Sequence, residues 1–292
     1  MDLKQKGEDL IIEDIDFFDV KDIFNCGQAF RAFKEEDGSY TNVAYGKIIN
    51  ISNEADNVTI KNSSIKDFYR IWLTYFDILR DYKELRESLS FDSTLVKAME
   101  YGRGIRILNQ EPFETIITFI ISANNGIDRI KKSVDMISRM YGSKIGDYRG
   151  REYFSFPSPQ ELSLAKAEDL REYARVGFRD KRIVETAKMI MGAEIAMDDI
   201  HKIPIEEARA ELMKLPGVGP KVADCVLLFA FKRSESFPVD VWIKRVMEEL
   251  YLHESTPKSK IAEAGRKIFG DKAGFAQQYL FYYGRENKLG KE

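Results

Sequence analysis

The sequence is poor in cysteine, in long apolar runs and in net positive charge. Its two cysteines, Cys26 and Cys225, stand far apart in 292 residues. That excludes a disulfide framework and any site built on four cysteines, zinc or iron–sulfur, and it suits a reducing intracellular compartment. No apolar run approaches the roughly 20 residues of a membrane span. The opening Met1-Asp2-Leu3-Lys4 lacks the apolar core of a secretory signal. These absences predict a cytoplasmic protein, nucleoid-associated if prokaryotic, without a membrane partner. The formal net charge is −3, from 45 basic and 48 acidic side chains, and by itself argues mildly against a nucleic-acid partner. The distribution tempers this. The acidic excess lies in residues 1–100, whereas residues 101–190 are net basic. A basic stretch of that size is a solvated surface as often as a nucleic-acid footprint. At 44 % hydrophobic content the chain is ample for a large core or two domains.

One stretch organises the rest: Leu215-Pro216-Gly217-Val218-Gly219-Pro220-Lys221, followed by the apolar run Val222 to Phe231. Pro-Gly and Gly-Pro punctuate turns, and Pro220 suits the first turn of a helix. The pattern predicts a helix over 206–214, a hairpin over 215–219 and a helix over 220–232. Gly217 and Gly219 permit positive φ and leave backbone N–H groups open. Such a hairpin, opening a helix, can hold a phosphate on its amides; it is equally an ordinary helix connection. Lys221 is informative because a cation in the first turn of a helix opposes the macrodipole. It is a poor structural choice there and a good chemical one, an amine nucleophile. Cys225 and Phe229 follow at four-residue steps on the same face, where burial in the core is the simpler account. Nineteen positions after Lys221 comes Asp240, in Phe237-Pro238-Val239-Asp240, ahead of the helical pattern Val241, Trp242, Val246, Leu250. Asp240 is either a plain helix N-cap or a carboxylate facing the lysine.

The run Leu-Pro-Gly-Val-Gly-x-Lys-Val-Ala-Asp-Cys, followed by Pro-Val-Asp, resembles the helix–hairpin–helix, Gly/Pro, Asp (HhH-GPD) superfamily of DNA base-excision glycosylases. Within it the chain is most similar to the 8-oxoguanine DNA glycosylase/AP lyases of the Ogg type. The resemblance implies an α+β fold, mostly α, with an N-terminal antiparallel sheet domain at 1–95. A helical glycosylase region follows at 96–292 and contains the helix–hairpin–helix at 206–232. It implies a bifunctional repair enzyme, with Lys221 as nucleophile and Asp240 as the stabilising carboxylate. Damaged double-stranded DNA would be the partner and a monomer the working form. No cofactor or metal ligand set is required, although a structural cation on the hairpin carbonyls is compatible. Two rival readings are a glycosylase of the same fold for other lesions, and a non-catalytic DNA-binding module. Lys221 disfavours the first; Lys221, Asp240 and Gln277 together disfavour the second.

The remaining sequence reads as follows. Asp37-Gly38 and the β-rich segments Ala29–Lys34, Tyr40–Tyr45, Lys47–Ser52 and Asn57–Lys61 predict short antiparallel strands. From Ile65 the period is helical, with Phe68, Trp72, Tyr75, Phe76 and Leu79 as a core stripe. Helices are expected over 92–101, 112–123, 128–141, 159–173, 180–192, 258–270 and from 274, with a polar loop around Ser155–Pro159. Gly27, in Gly-Gln-Ala-Phe-Arg, is a bulge glycine or, by the resemblance, the residue whose carbonyl accepts the N7–H of 8-oxoguanine. Guanine N7 would meet that carbonyl as a second acceptor, leaving both unpaired. The match of this motif runs up to Arg31; Ala32 then stands in place of an expected tryptophan, although the resemblance covers nearly the whole chain. It places Cys225, Pro238, Gln277 and Phe281 around the extruded base, with Gln277 reading its edge and Phe281 stacking on it. It places Asn124 where the base leaves the duplex, Arg129 on the orphaned cytosine, and Phe178 and Arg179 on the DNA, with Gly217 and Gly219 on its phosphates. Phe178 replaces the usual tyrosine, and Trp242 replaces a histidine.

Overall fold

A computed structural model describes residues 1–289. The N-terminal part is a six-stranded antiparallel sheet in the order β1-β2-β6-β5-β4-β3. Its strands are β1 Asp2–Lys6, β2 Asp9–Glu13, β3 Ala32–Lys34, β4 Tyr40–Ala44, β5 Lys47–Glu54 and β6 Asn57–Lys61. Register follows the apolar positions. Tyr40 pairs with Ile51, and Ile51 with Ile60, so one face of three strands points into a single core. Trp72, Phe68 and Phe76 fill that core from beneath the sheet.

The first two strands were not anticipated. Of β1 only Leu3 is even half-buried, and β2 is a five-residue stretch, so neither shows a long apolar alternation. Leu79 also departs from expectation. The helical segment Ile65–Tyr75 runs through α2 Ile65–Asp67, a wider π turn at Phe68–Trp72 and α3 Leu73–Tyr75. It stops where Asp77 takes φ +50°, which leaves Leu79 81 % exposed rather than in the core.

Helix α1 Val20–Asn25, capped by Asp19, leads to Gly27. The helical part comprises α4 Tyr82–Ser88, α5 Ser93–Tyr101, α6 Pro112–Ser122, α7 Ile127–Tyr141, α8 Pro159–Ser163, α9 Ala167–Glu172, α10 Asp180–Met191, α11 Ile205–Leu212, α12 Pro220–Ala230, α13 Val241–Met247, α14 Lys258–Phe269 and α15 Ala273–Glu286. No described helix is long and apolar enough to cross a membrane. α6 is buried from Thr115 to Ile121 and packs against α12, with Phe119 stacked on Phe229 at 5.5 Å and 15°. The single helix expected over 159–173 is two short ones, α8 and α9. The break follows α8, which a Ser158–Glu161 capping box starts and which ends at the exposed Leu164.

A hairpin, β7 Lys144–Tyr148 and β8 Arg151–Phe154, occupies part of what reads as loop. It joins the two parts of the molecule. The Arg151 guanidinium lies 3.8 Å over the Phe33 ring, and Arg149 reaches Asp37 at 2.7 Å. Arg31 does similar work. Buried, it donates to the Phe154 carbonyl and pairs with Glu114 of α6 at 3.3 Å. Burial pushes the Glu114 carboxyl up to about 7, and the Arg31 charge opposes the shift. Lys131 of α7 donates to the carbonyl of buried Ala32 at 3.0 Å.

Candidate active site

The helix–hairpin–helix forms as its turn chemistry demands. Gly217 takes φ +89°, and a Cβ there would stand 3.2 Å from both Arg182 and Ile120. Its lack of a side chain is therefore required twice. Gly219 differs from expectation. As N-cap of α12 it has φ −97°, open to any residue, and a Cβ there would meet nothing within 4 Å. Neither backbone conformation nor packing requires a glycine there. Behind the hairpin, the buried pair Arg209–Asp224 at 2.8 Å fastens α11 to α12.

Lys221, second residue of α12, projects into a cleft of about 1260 Å³. Its Nζ donates to Ser122 Oγ at 3.3 Å and lies 5.0 Å over the Phe119 ring. Among the described residues no carboxylate forms an ion pair with it. Asp240 lines the same cleft and caps α13, its Oδ1 accepting from the N–H groups of Trp242 and Ile243 at 2.9 and 2.8 Å. The cap reading of Asp240 is met, and the residue borders the cleft that Lys221 enters.

The cleft also gathers Gly27, Asn124, Arg129, Gly217, Gly219 and Phe281 from the expected set. Asn124 follows the end of α6 at φ +51°, a conformation asparagine tolerates better than most residues. Exposed, it stands at the cleft edge, with Arg129 beyond it on α7. Gly27 takes φ +81°, and a Cβ there would stand 3.0 Å from Phe281. The backbone carbonyls around it are held from outside: that of Asn25 by Arg285, that of Cys26 by Gln278 at 2.6 Å, and that of Gln28 by Gln110 at 2.8 Å. Among the described residues the Gly27 carbonyl has no donor. Of four consecutive acceptors, the one beside the cleft is left unused.

Cys225, Pro238 and Gln277 are buried and do not line the cleft. Burial pushes the Cys225 thiol up to about 11, with the Lys221 charge opposing, so it stays a neutral thiol. Gln277 Oε1 is buried without a donor, an unsatisfied acceptor of the kind that ordinarily has a purpose. Phe178 and Arg179 lie outside the cleft. Phe178 is 60 % exposed, with two guanidiniums near its ring, Arg179 at 4.3 Å and Arg182 at 5.4 Å. Arg179 itself is buried and donates to the carbonyls of Val176 and Ala123. Its guanidinium ties the Phe178 turn to the end of α6 instead of reaching outward. Sequence reasoning missed Ser122 and Phe119, whose signal was their place in the last turn of the helix that ends before Asn124. It also missed Arg182, Lys258 and Arg285, for which periodicity carries no signal.

A glycine hairpin, an amine at its helix start and a capped carboxylate across one cleft define a DNA base-excision scaffold of the helix–hairpin–helix class. The chain belongs to the HhH-GPD superfamily of base excision DNA repair proteins, in its Ogg-type branch. The superfamily model matches residues 117–270, and that of the 8-oxoguanine DNA glycosylase N-terminal domain matches residues 10–116. A structure of MBOgg1 with a low-affinity DNA ligand is 44 % identical, covers 98 % of this chain and 99 % of its own, and superposes with a TM-score of 0.95. The Clostridium acetobutylicum 8-oxoguanine glycosylase/lyase, bound to double-stranded DNA with cytosine opposite 8-oxoguanine, is 40 % identical with a TM-score of 0.96. It covers 99 % of both chains. A probable N-glycosylase/DNA lyase of Methanothermobacter thermautotrophicus is 34 % identical over 73 % of this chain and 74 % of its own length.

Proposed function

We propose that this chain excises 8-oxoguanine from duplex DNA and then nicks the strand at the resulting abasic site. The observation that carries the reading is the convergence of Lys221, Asp240 and the unpaired Gly27 carbonyl on one cleft. The reacting sugar carbon is inaccessible inside the stack, so the nucleotide must be everted into the cleft. Asn124 and the stacked Phe178 face the duplex it leaves.

The Lys221 amine, once deprotonated, attacks C1′. The C1′–N9 bond breaks, and the base departs with that electron pair and takes up a proton. Positive charge builds on the sugar in this step, and the Asp240 carboxylate, fixed by two backbone donors, stabilises it. The amine sheds its second proton as the sugar ring opens, giving an imine between Lys221 and C1′. That imine acidifies C2′. Loss of a C2′ proton expels the 3′ phosphate and nicks the strand, and water then releases the lysine. These bond changes use the chain's own amine and carboxylate and call for no cofactor. Selectivity comes from the Gly27 carbonyl, which pairs with an N7–H and leaves guanine's N7 opposed by an acceptor. The buried Gln277 amide and the Phe281 ring supply an edge reader and a stacking face.

The test uses duplexes carrying 8-oxoguanine or guanine at one position, assayed for free base and for the β-elimination end. Release of 8-oxoguanine with strand nicking is expected. Nicking of neither the lesion duplex nor an abasic duplex would overturn the reading.

A further inference from the structure

We propose that Gln278 and Arg285 are positioning residues for lesion discrimination, setting the Gly27 carbonyl that reads the oxidised purine. The inference rests on the substrate reading above and deepens it. A carbonyl discriminates a donor from an acceptor only if it cannot turn away from the mismatch. Gly27, at φ +81°, is intrinsically the freest residue in its segment, so its orientation must be imposed by its neighbours.

α15 imposes it. Gln278 is buried and donates Nε2 to the Cys26 carbonyl at 2.6 Å. Two turns on, Arg285 donates to the Asn25 carbonyl. Its guanidinium lies 5.3 Å over the Phe281 ring, and its Nη1 would stand 3.4 Å from a Cβ at Gly27. Gln110 closes the other side through the Gln28 carbonyl at 2.8 Å. The two peptide oxygens before Gly27 are therefore pinned by one helix, and the one after it by a third donor. That same helix carries Gln277 and Phe281, the latter on the face of Gln278 and Arg285. One rigid element thus sets the distance between the ring-stacking wall and the carbonyl that reads the base. Neither Gln278 nor Arg285 is required for bond breaking, which belongs to Lys221 on α12.

The experiment compares single-turnover excision of 8-oxoguanine with nicking of a preformed abasic site, which has no base to read. Arg285→Met and Gln278→Met are expected to lower the first rate about tenfold, the scale of one misaligned buried hydrogen bond. Abasic nicking should fall far less than base excision in both variants, so that the ratio of the two rates shifts. Arg285→Lys, which keeps a donor within reach of the Asn25 carbonyl, should recover most of the loss. An unchanged ratio of the two rates in both methionine variants overturns the inference, whether both activities persist or both fall together. A wild-type protein that nicks abasic sites but spares 8-oxoguanine overturns the substrate reading, and this inference with it.

Discussion

Replacing Gly27 with alanine probes the base-reading wall with a single methyl group. At φ +81° an L-residue with a Cβ is strained by about 1–2 kcal/mol. The methyl carbon would stand 3.0 Å from Phe281 Cε1 and 3.4 Å from Arg285 Nη1, so the ring must shift by a few tenths of an ångström or the loop must turn. Either response moves the carbonyl relative to the stacking face. If the N7–H of the lesion loses its acceptor, a further cost of about 1–3 kcal/mol is expected in the base-bound state. The ground-state strain should appear as a lowered Tm. The lost hydrogen bond should appear as a fall of roughly ten- to a hundredfold in single-turnover excision of 8-oxoguanine. Abasic nicking, which uses no base contact, should fall far less. Gly27→Ala that excises 8-oxoguanine at the wild-type rate would refute the reasoning, because the contact geometry leaves no room for an innocent methyl.

Three further expectations follow from the same geometry. Asp240→Asn should keep its fold, since asparagine also caps helices. It should lose about a hundredfold or more in base excision, as expected when a fixed charge is removed from a developing cation; equal excision would reduce Asp240 to a cap. Arg182 lines the cleft beside Gly217 and has no carboxylate partner among the described residues, so Arg182→Ala should reduce the slope of log affinity against log salt by about one. An unchanged slope in filter-binding titrations would remove Arg182 from the DNA interface. Glu114 has its carboxyl raised from 4.5 to about 7 in the fold. The folded state therefore holds the proton more tightly than the unfolded chain, and this contribution is present at low pH and lost as pH rises through about 7. Glu114→Gln should flatten the urea-measured stability across that window; an unaltered pH dependence would contradict the assignment.

How much was legible in the sequence depended on whether the signal was local. The hairpin, its lysine and the capping aspartate could be read because Pro-Gly, Gly-Pro and Pro-Val-Asp determine their own turns. The middle strands were readable from β-branched residues and Asp37-Gly38. β1 was not, because most of its side chains face solvent and it gains its place only by pairing with β2. The β7–β8 hairpin was missed because its strands are short, polar and held by cross-domain arginines. Leu79 matched a helical period that the chain abandons at Asp77. The burial of Cys225 and Gln277, and the exposed Phe178 with inward-tied Arg179, are tertiary outcomes that no spacing encodes. Least legible was the pinning of residues 25–28, whose donors Gln110, Gln278 and Arg285 lie 82 to 260 positions away.

The account's central claim is that the Lys221 amine forms the covalent bond to the sugar. Borohydride reduction during turnover on an 8-oxoguanine duplex, followed by digestion and peptide mass mapping, tests it most directly. The predicted result is one DNA-linked peptide modified at Lys221 and no adduct from Lys221→Gln. An adduct mapped to another residue, or one that persists undiminished in Lys221→Gln, would contradict it.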